Sequence, residues 1–385
     1  MFRSTNLANT PLFAAEHTFL GPRTDKLLIR WANGSIMNDA TEESLTQTLT
    51  DFERLPMRVA VGTYKPVTDE WLRLAKQLGV EDVLFTPHRH PGFDSVMPLG
   101  EAWSAKDIVD LRDRVNEHGL RLFAFEKMPI PLYEILLAAP EEREEKIAAI
   151  VETVRNMGEA GIPVLGYSGH PPDGAVRTTR SYPVRGGAES SAFVLEDMQQ
   201  ESLVDEPVAE EELWEAYEVF LDSVLPVAEE AGVTLGVHPS DPPLEELGGI
   251  PLLFRNFENF KRAMDYGDSP NHGLKFCLGC WSEMGEDLVS VIRHFGGEDI
   301  IYVHFRDVVG TVPSFHETFI DDPNSNFDEL EIMRTLHDVG FSGVMTPDHV
   351  PLLEGEGGWE FGGVRGRAYT VGYLRGMLRA VLEPE

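Results

Sequence analysis

The stretch Val233-Thr234-Leu235-Gly236-Val237-His238-Pro239-Ser240-Asp241-Pro242-Pro243 decides how this chain folds. Val233, Leu235 and Val237 alternate along a short β-branched run, the pattern of a strand. The run stops at His238-Pro239, because proline cannot donate to a sheet ladder and pushes the residue before it towards extended geometry. His238 is therefore the expected last residue of a buried strand, aimed out of its C-terminal end. A lone histidine there is ordinarily structural, but the later strands of the chain end in ligand-type residues too, and that changes the reading.

Outward from this strand the same rhythm runs from Met57 to the end. Apolar strand-like runs fall at 58–63, 82–86, 121–125, 162–167, 233–237, 273–277, 300–304 and 342–346. Amphipathic helical segments lie near 68–79, 104–118, 140–159, 209–231, 254–265, 284–296, 326–338 and 366–382. Glycine closes several helices, as in Ala160-Gly161 and Ala231-Gly232. Eight strand–helix units in about 330 residues predict an α/β fold, a (β/α)8 or TIM barrel. The rival, an open doubly wound sheet, usually carries a glycine-rich phosphate loop after its first strand, and Gly62-Thr63-Tyr64-Lys65-Pro66 is not one. Residues 57–385 are read as the catalytic barrel. Residues 1–56, with a strand expected at 27–31 and a helix at 41–54, are read as an N-terminal extension. The connection 168–207 shows no apolar period and reads as a long lid or binding loop on the C-terminal face.

Composition narrows the partners. Acidic residues number 65 against 32 basic ones, a net charge of −33. Self-repulsion on that scale is tolerable where counterions screen it, which points to a salt-rich cytoplasm. No basic patch stands out, so nucleic acid is not expected. No apolar run approaches the ~18–20 residues of a membrane span, and the N-terminus lacks a signal peptide's apolar region, so a cytoplasmic protein is expected. Homo-oligomerisation is left open. With two cysteines, Cys277 and Cys280, a disulfide framework is excluded. Their Cys-Leu-Gly-Cys spacing shows neither a redox context nor two further zinc ligands, and Cys280 is expected to point elsewhere, in a following loop.

Strands five to eight end in His238, Cys277, His304 and Asp348, in the contexts Gly-Val-His, Lys-Phe-Cys, Tyr-Val-His and Thr-Pro-Asp. Polar residues often end strands for structural reasons. Four adjacent barrel strands delivering two imidazoles, a thiolate and a carboxylate to one rim nevertheless make a plausible shell for a divalent transition metal.

These residues also carry a family resemblance. The chain resembles the mannonate dehydratases, (β/α)8 enzymes of hexuronate breakdown, through Gly100-Glu101-Ala102-Trp103-Ser104, Glu126 with Pro129-Ile130, and 224–243. The likeness continues through Phe276-Cys277-Leu278-Gly279, His304-Phe305-Arg306, Phe315-His316-Glu317, Pro347-Asp348-His349, Gly366-Arg367 and Arg375-Gly376. It implies loss of water from D-mannonate to give 2-keto-3-deoxy-D-gluconate, dependent on Mn²⁺ or Fe²⁺. By position His238, Cys277, His304 and Asp348 match the family's metal ligands, and His349 an active-site acid/base. There are departures. No tyrosine stands in Gly358-Trp359-Glu360-Phe361-Gly362-Gly363, where the family has a catalytic one, although Tyr369 lies a few residues on. Ile320 replaces a histidine, and the loop beyond Tyr167 has lost its aromatic character.

The chemistry so implied needs a removable C2 proton, a stabilised enediolate and a protonated C3 leaving group. A divalent Lewis acid serves the first two, and His349 is the candidate for the third. Arg306 and Arg177 are candidates to hold the substrate carboxylate, and His88, His90 and His316 its hydroxyls. A metal-dependent isomerase or epimerase on the same barrel and a non-catalytic sugar-acid binding protein are the alternatives.

Overall fold

The computed structural model describes residues 57–63, 67–87, 97–169, 171, 175–199, 202–356 and 363–382. The strand expected at 27–31 and the helix at 41–54 lie outside them, as do His88, His90 and 358–362.

Eight parallel strands close into a barrel: β1 (Arg58–Thr63), β2 (Asp82–Phe85), β3 (Arg121–Phe125), β4 (Val164–Ser168), β7 (Thr234–His238), β10 (His272–Cys277), β11 (Ile300–Phe305) and β14 (Val344–Pro347). Pairing of Arg58 with Val344 closes the ring. Each barrel strand is buried almost throughout, as expected of strands with side chains on one face and helices on the other. Ala60, Leu84, Phe123, Ala124, Val164, Tyr302 and Val344 fill the barrel's inside as a cluster of their own. The larger core lies between strands and helices.

The helices are α1 (Asp69–Gln77), α2 (Ala105–Glu117), α3 (Leu132–Leu136), α4 (Pro140–Ala160), α5 (Glu210–Ala231), α6 (Phe257–Tyr266), α7 (Leu278–Glu283), α8 (Leu288–Asp299), α9 (Glu329–Asp338) and α10 (Val364–Leu382). Their ends follow local chemistry. Proline opens α4, where its missing N–H costs nothing, and Gly161 closes it at φ 70°. Asn256, Asp287 and Asp328 cap α6, α8 and α9 with side-chain oxygens. Among the described residues no helix is long and apolar enough to cross a membrane.

Two expectations are corrected. The helix read at 284–296 is α8 at Leu288–Asp299, and an unexpected short helix, α7, precedes it directly after Cys277, so Cys280 sits on a helix rather than in a loop. The connection 168–207 is not plain loop. It contains β5 (Thr179–Pro183) and β6 (Glu189–Val194), which join β12 (Asp307–Thr311) and β13 (Ser314–Thr318) in an antiparallel sheet ordered β12-β13-β6-β5. A two-stranded ribbon, β8 (Glu246–Leu247) with β9 (Ile250–Pro251), comes soon after Pro243.

Candidate metal centre

His238 and Cys277 are the last residues of β7 and β10, His304 is the penultimate residue of β11, and Asp348 comes directly after β14. Register places Cys277 beside His304 and His304 beside Thr346, so the parallel ladder itself gathers these ends at one rim. Ligand atoms of His238, Cys277 and His304 lie within 4.8 Å of one another, and all three residues are buried. Asp348 joins them, with Oδ2 3.9 Å from Cys277 Sγ and Oδ1 3.4 Å from His304 Nδ1.

The donors are prepared for a cation. His238 Nδ1 donates to the Pro239 carbonyl at 2.7 Å, which leaves the lone pair on Nε2. His304 Nε2 donates to Glu126 Oε1 at 2.7 Å, which turns Nδ1, 3.4 Å from Asp348 Oδ1, towards the other candidate ligands. A carboxylate holding the far nitrogen is how a metal-ligating histidine is usually oriented. Burial alone would push the Cys277 thiol up, but the Cys280 thiol, the Arg306 charge, His238 and His304 together hold it well below the usual thiol range. Burial likewise opposes charge on His304, yet Asp348 draws its pKa well above the usual value, a field that favours positive charge here. Two imidazole nitrogens, a thiolate and a carboxylate fit a divalent transition metal.

Glu126, at the end of β3, is the part that no metal-ligand pattern pointed to. Its carboxyl is buried, takes the Thr86 hydroxyl and lies 3.8 Å from Lys275 Nζ. Burial opposes its charge, but Lys275 and His304 bring its pKa down to about 2.

Beside the donors lies a second buried group, Asp241, Cys280 and Glu283. A cation already stands among these. Arg306 Nη1 donates to Glu283 at 2.8 Å and Glu317 at 3.1 Å, Nη2 to Asp241 at 3.0 Å and Cys280 Sγ at 3.2 Å, and Nε to Asp348 Oδ2 at 3.0 Å. Gly279 makes room for it, since a Cβ there would stand 2.5 Å from the guanidinium carbon. Arg177, its side chain 0 % exposed, reaches Asp241 at 2.5 Å and Glu317 at 2.6 Å and lies over the Phe315 ring at 5.1 Å. Both arginines, read from sequence as substrate-carboxylate clamps, therefore have their forks committed to the protein's own carboxylates. Cys280, expected to point away, touches the network that holds Asp348.

His349 lies against this network, its Nδ1 2.6 Å from Glu317 Oε1 and its Nε2 3.8 Å from Asp348 Oδ1. His316, read as a hydroxyl binder, does not join it. Side chains alternate along β13, so Phe315 and Glu317 turn inward while His316 turns to the opposite face, stacked on Tyr182 at 4.4 Å. Tyr369 donates to Asp321 at 2.6 Å and is 39 % exposed, away from the donor group's buried setting.

A closed parallel barrel whose C-terminal rim gathers transition-metal donors and a neighbouring imidazole defines a barrel enzyme. The chain belongs to the D-mannonate dehydratase (UxuA) family, whose model matches residues 57–206 and 187–384. The mannonate dehydratase of Enterococcus faecalis is 31% identical over 316 residues, covering 73% of this chain and 87% of its own length. Mannonate dehydratase 2 of Halalkalibacterium halodurans is 29% identical over 311 residues, covering 74% and 89%. The crystal structure of mannonate dehydratase from Streptococcus suis serotype 2 is similar with a TM-score of 0.77 at 26% identity, covering 85% of this chain and 94% of that one. By family the protein is a hydro-lyase.

Proposed function

We propose that the protein converts D-mannonate to 2-keto-3-deoxy-D-gluconate and water, with one divalent transition ion held by His238, Cys277, His304 and Asp348 and with His349 as the proton-transfer group. The observation that carries this reading is the gathering of His238, Cys277 and His304 on one rim with Asp348 beside them, within reach of a histidine whose Nε2 lies 3.8 Å from the Asp348 carboxylate. When bound, the ion supplies the Lewis acidity that loosens the C2 proton and stabilises the charge left behind. The chain's own groups do the rest. Glu126 fixes the His304 ring, Arg306 fixes the Asp348 carboxylate, and His349 exchanges the proton that the leaving C3 hydroxyl requires. We assign Arg306 to holding the donor Asp348 in place and Arg177 to holding Asp241 and Glu317, two of the carboxylates around Arg306.

Mn²⁺ or Fe²⁺ is the proposed working ion. The thiolate favours softer ions, so Zn²⁺ is expected to bind more tightly and to inhibit. The test is incubation of purified protein with a panel of aldonates and each ion, assaying 2-keto-3-deoxy acids. Release of the 2-keto-3-deoxy acid from D-mannonate supports the proposal. Formation of an epimer or keto sugar instead, or no product with any ion, overturns it.

A further inference from the structure

We propose that Glu317 is the positioning residue of His349: it takes the Nδ1 hydrogen and so presents Nε2 to the reacting substrate. The inference rests on the role given to His349 above and adds a residue to which no function has been assigned.

The geometry is specific. Glu317 Oε1 lies 2.6 Å from His349 Nδ1, and a carboxylate ion-paired with Arg177 and Arg306 accepts, so the hydrogen belongs to Nδ1. The other ring nitrogen, Nε2, is the one that faces the donor carboxylate of Asp348. The glutamate itself cannot swing away. Arg177 Nη2 and Arg306 Nη1 converge on the same Oε1 at 2.6 and 3.1 Å, and the Ser191 hydroxyl donates to Oε2 at 2.5 Å. Side chains of Glu317 and Arg177 are 4 % and 0 % exposed, so these contacts act in a water-poor setting where they are strong.

The supporting sheet explains why the carboxylate arrives there. On β13 the inward residues are Phe315 and Glu317, and pairing of Phe315 with Phe193 and of His316 with Ala192 brings β6, with Ser191, alongside. Phe315 in turn carries Arg177 on its ring face. The antiparallel sheet thus ends, on its inner side, in a clamp on one oxygen atom. That oxygen is the one bonded to His349. A carboxylate used only to neutralise arginines would not need a third partner at 2.6 Å.

The test has two arms. In the first, ¹⁵N-histidine spectra of the wild-type protein, with the His349→Gln variant used for assignment, should show the hydrogen of the His349 ring on Nδ1. The opposite tautomer overturns the proposal. This arm needs no turnover, so it stands even if D-mannonate proves not to be the substrate. In the second, Glu317→Ala should lower kcat ~10–100-fold with KM and bound metal near wild type, while Glu317→Gln, which keeps an oxygen at the Oε1 position, should restore most of kcat. An unchanged kcat in Glu317→Ala, or a loss matched by loss of metal, overturns it. If Glu317→Ala fails to fold, the Gln variant decides: a fall in kcat as deep as for His349→Gln would mean that the acceptor oxygen is not what matters.

Discussion

Glu126 Oε1 lies 2.7 Å from His304 Nε2, so a residue directly after the third strand of the barrel sets the ring orientation of a candidate ligand on the seventh. Outer partners of this kind typically change metal affinity about 10–100-fold when removed. Glu126→Gln should weaken metal binding by about that factor, because the amide competes with the imidazole for its tautomer. Chelator competition measures it; unchanged affinity would reduce Glu126 to a partner of Lys275.

The two cysteines should separate cleanly. Cys277→Ser is expected to lose metal, since a hydroxyl does not replace a thiolate as a soft ligand. Cys280→Ser should keep metal, because a hydroxyl can still accept from Arg306 Nη2. Elemental analysis of both variants decides, and metal loss in Cys280→Ser alone would mean the donor set is wrong.

Arg306→Lys should do more than impair substrate use. An ammonium cannot span Asp348, Glu283, Glu317 and Asp241 at once, and a buried ion network that loses one member is typically destabilised by about 3–5 kcal/mol. Expected outcomes are a lower melting temperature and weaker metal binding together. Wild-type stability with a raised KM alone would restore the substrate-clamp reading.

His272 gives the protein an acid-sensitive point far from the metal donors. Burial brings its pKa down to about 4, against an opposing hydrogen bond to the Gly267 carbonyl, and its Nε2 meets the Tyr167 hydroxyl at 2.9 Å. An unfolded histidine takes a proton near pH ~6.5, so the unfolded chain binds the proton first as pH falls. This group's contribution to stability is full above ~6.5, declines through the window down to about 4 and is constant below, a loss on the order of 3 kcal/mol. Unfolding free energy should fall less steeply over that window in His272→Gln than in wild type; parallel slopes would remove His272 as a source of acid sensitivity.

Salt should stabilise the chain. With 65 acidic and 32 basic residues, screening relieves repulsion, and the melting temperature is expected to climb from low to molar KCl. A flat response would mean that paired charges already balance the surface.

The barrel was legible because its strands, covered on both faces, read as unbroken apolar runs, and because proline after His238 marked a strand end. The rim residues His238, Cys277, His304 and Asp348 were legible for the same reason, each being the last polar residue after such a run. The antiparallel sheet was not. Its inner face carries Glu317 and Ser191 beside Phe193 and Phe315, and β5 is exposed along its whole length, so neither strand period nor apolar content betrayed it. The Phe-His-Glu motif drew attention to the imidazole of His316, whereas strand alternation gives the inner position to its neighbour. Arg177 and Arg306 looked like free clamps because nothing in the sequence shows that Asp241, Glu283 and Glu317 will surround them.

The clamp is assembled from two loops far apart in the chain, one after β4 bringing Arg177 and Ser191, the other after β11 bringing Glu317. Those loops are consequently a matched pair. Transplanting the first alone would bury Arg177 without Glu317, and the second alone would bury Glu317 without Arg177, so any recombination that reshapes the mouth of this enzyme has to move both together.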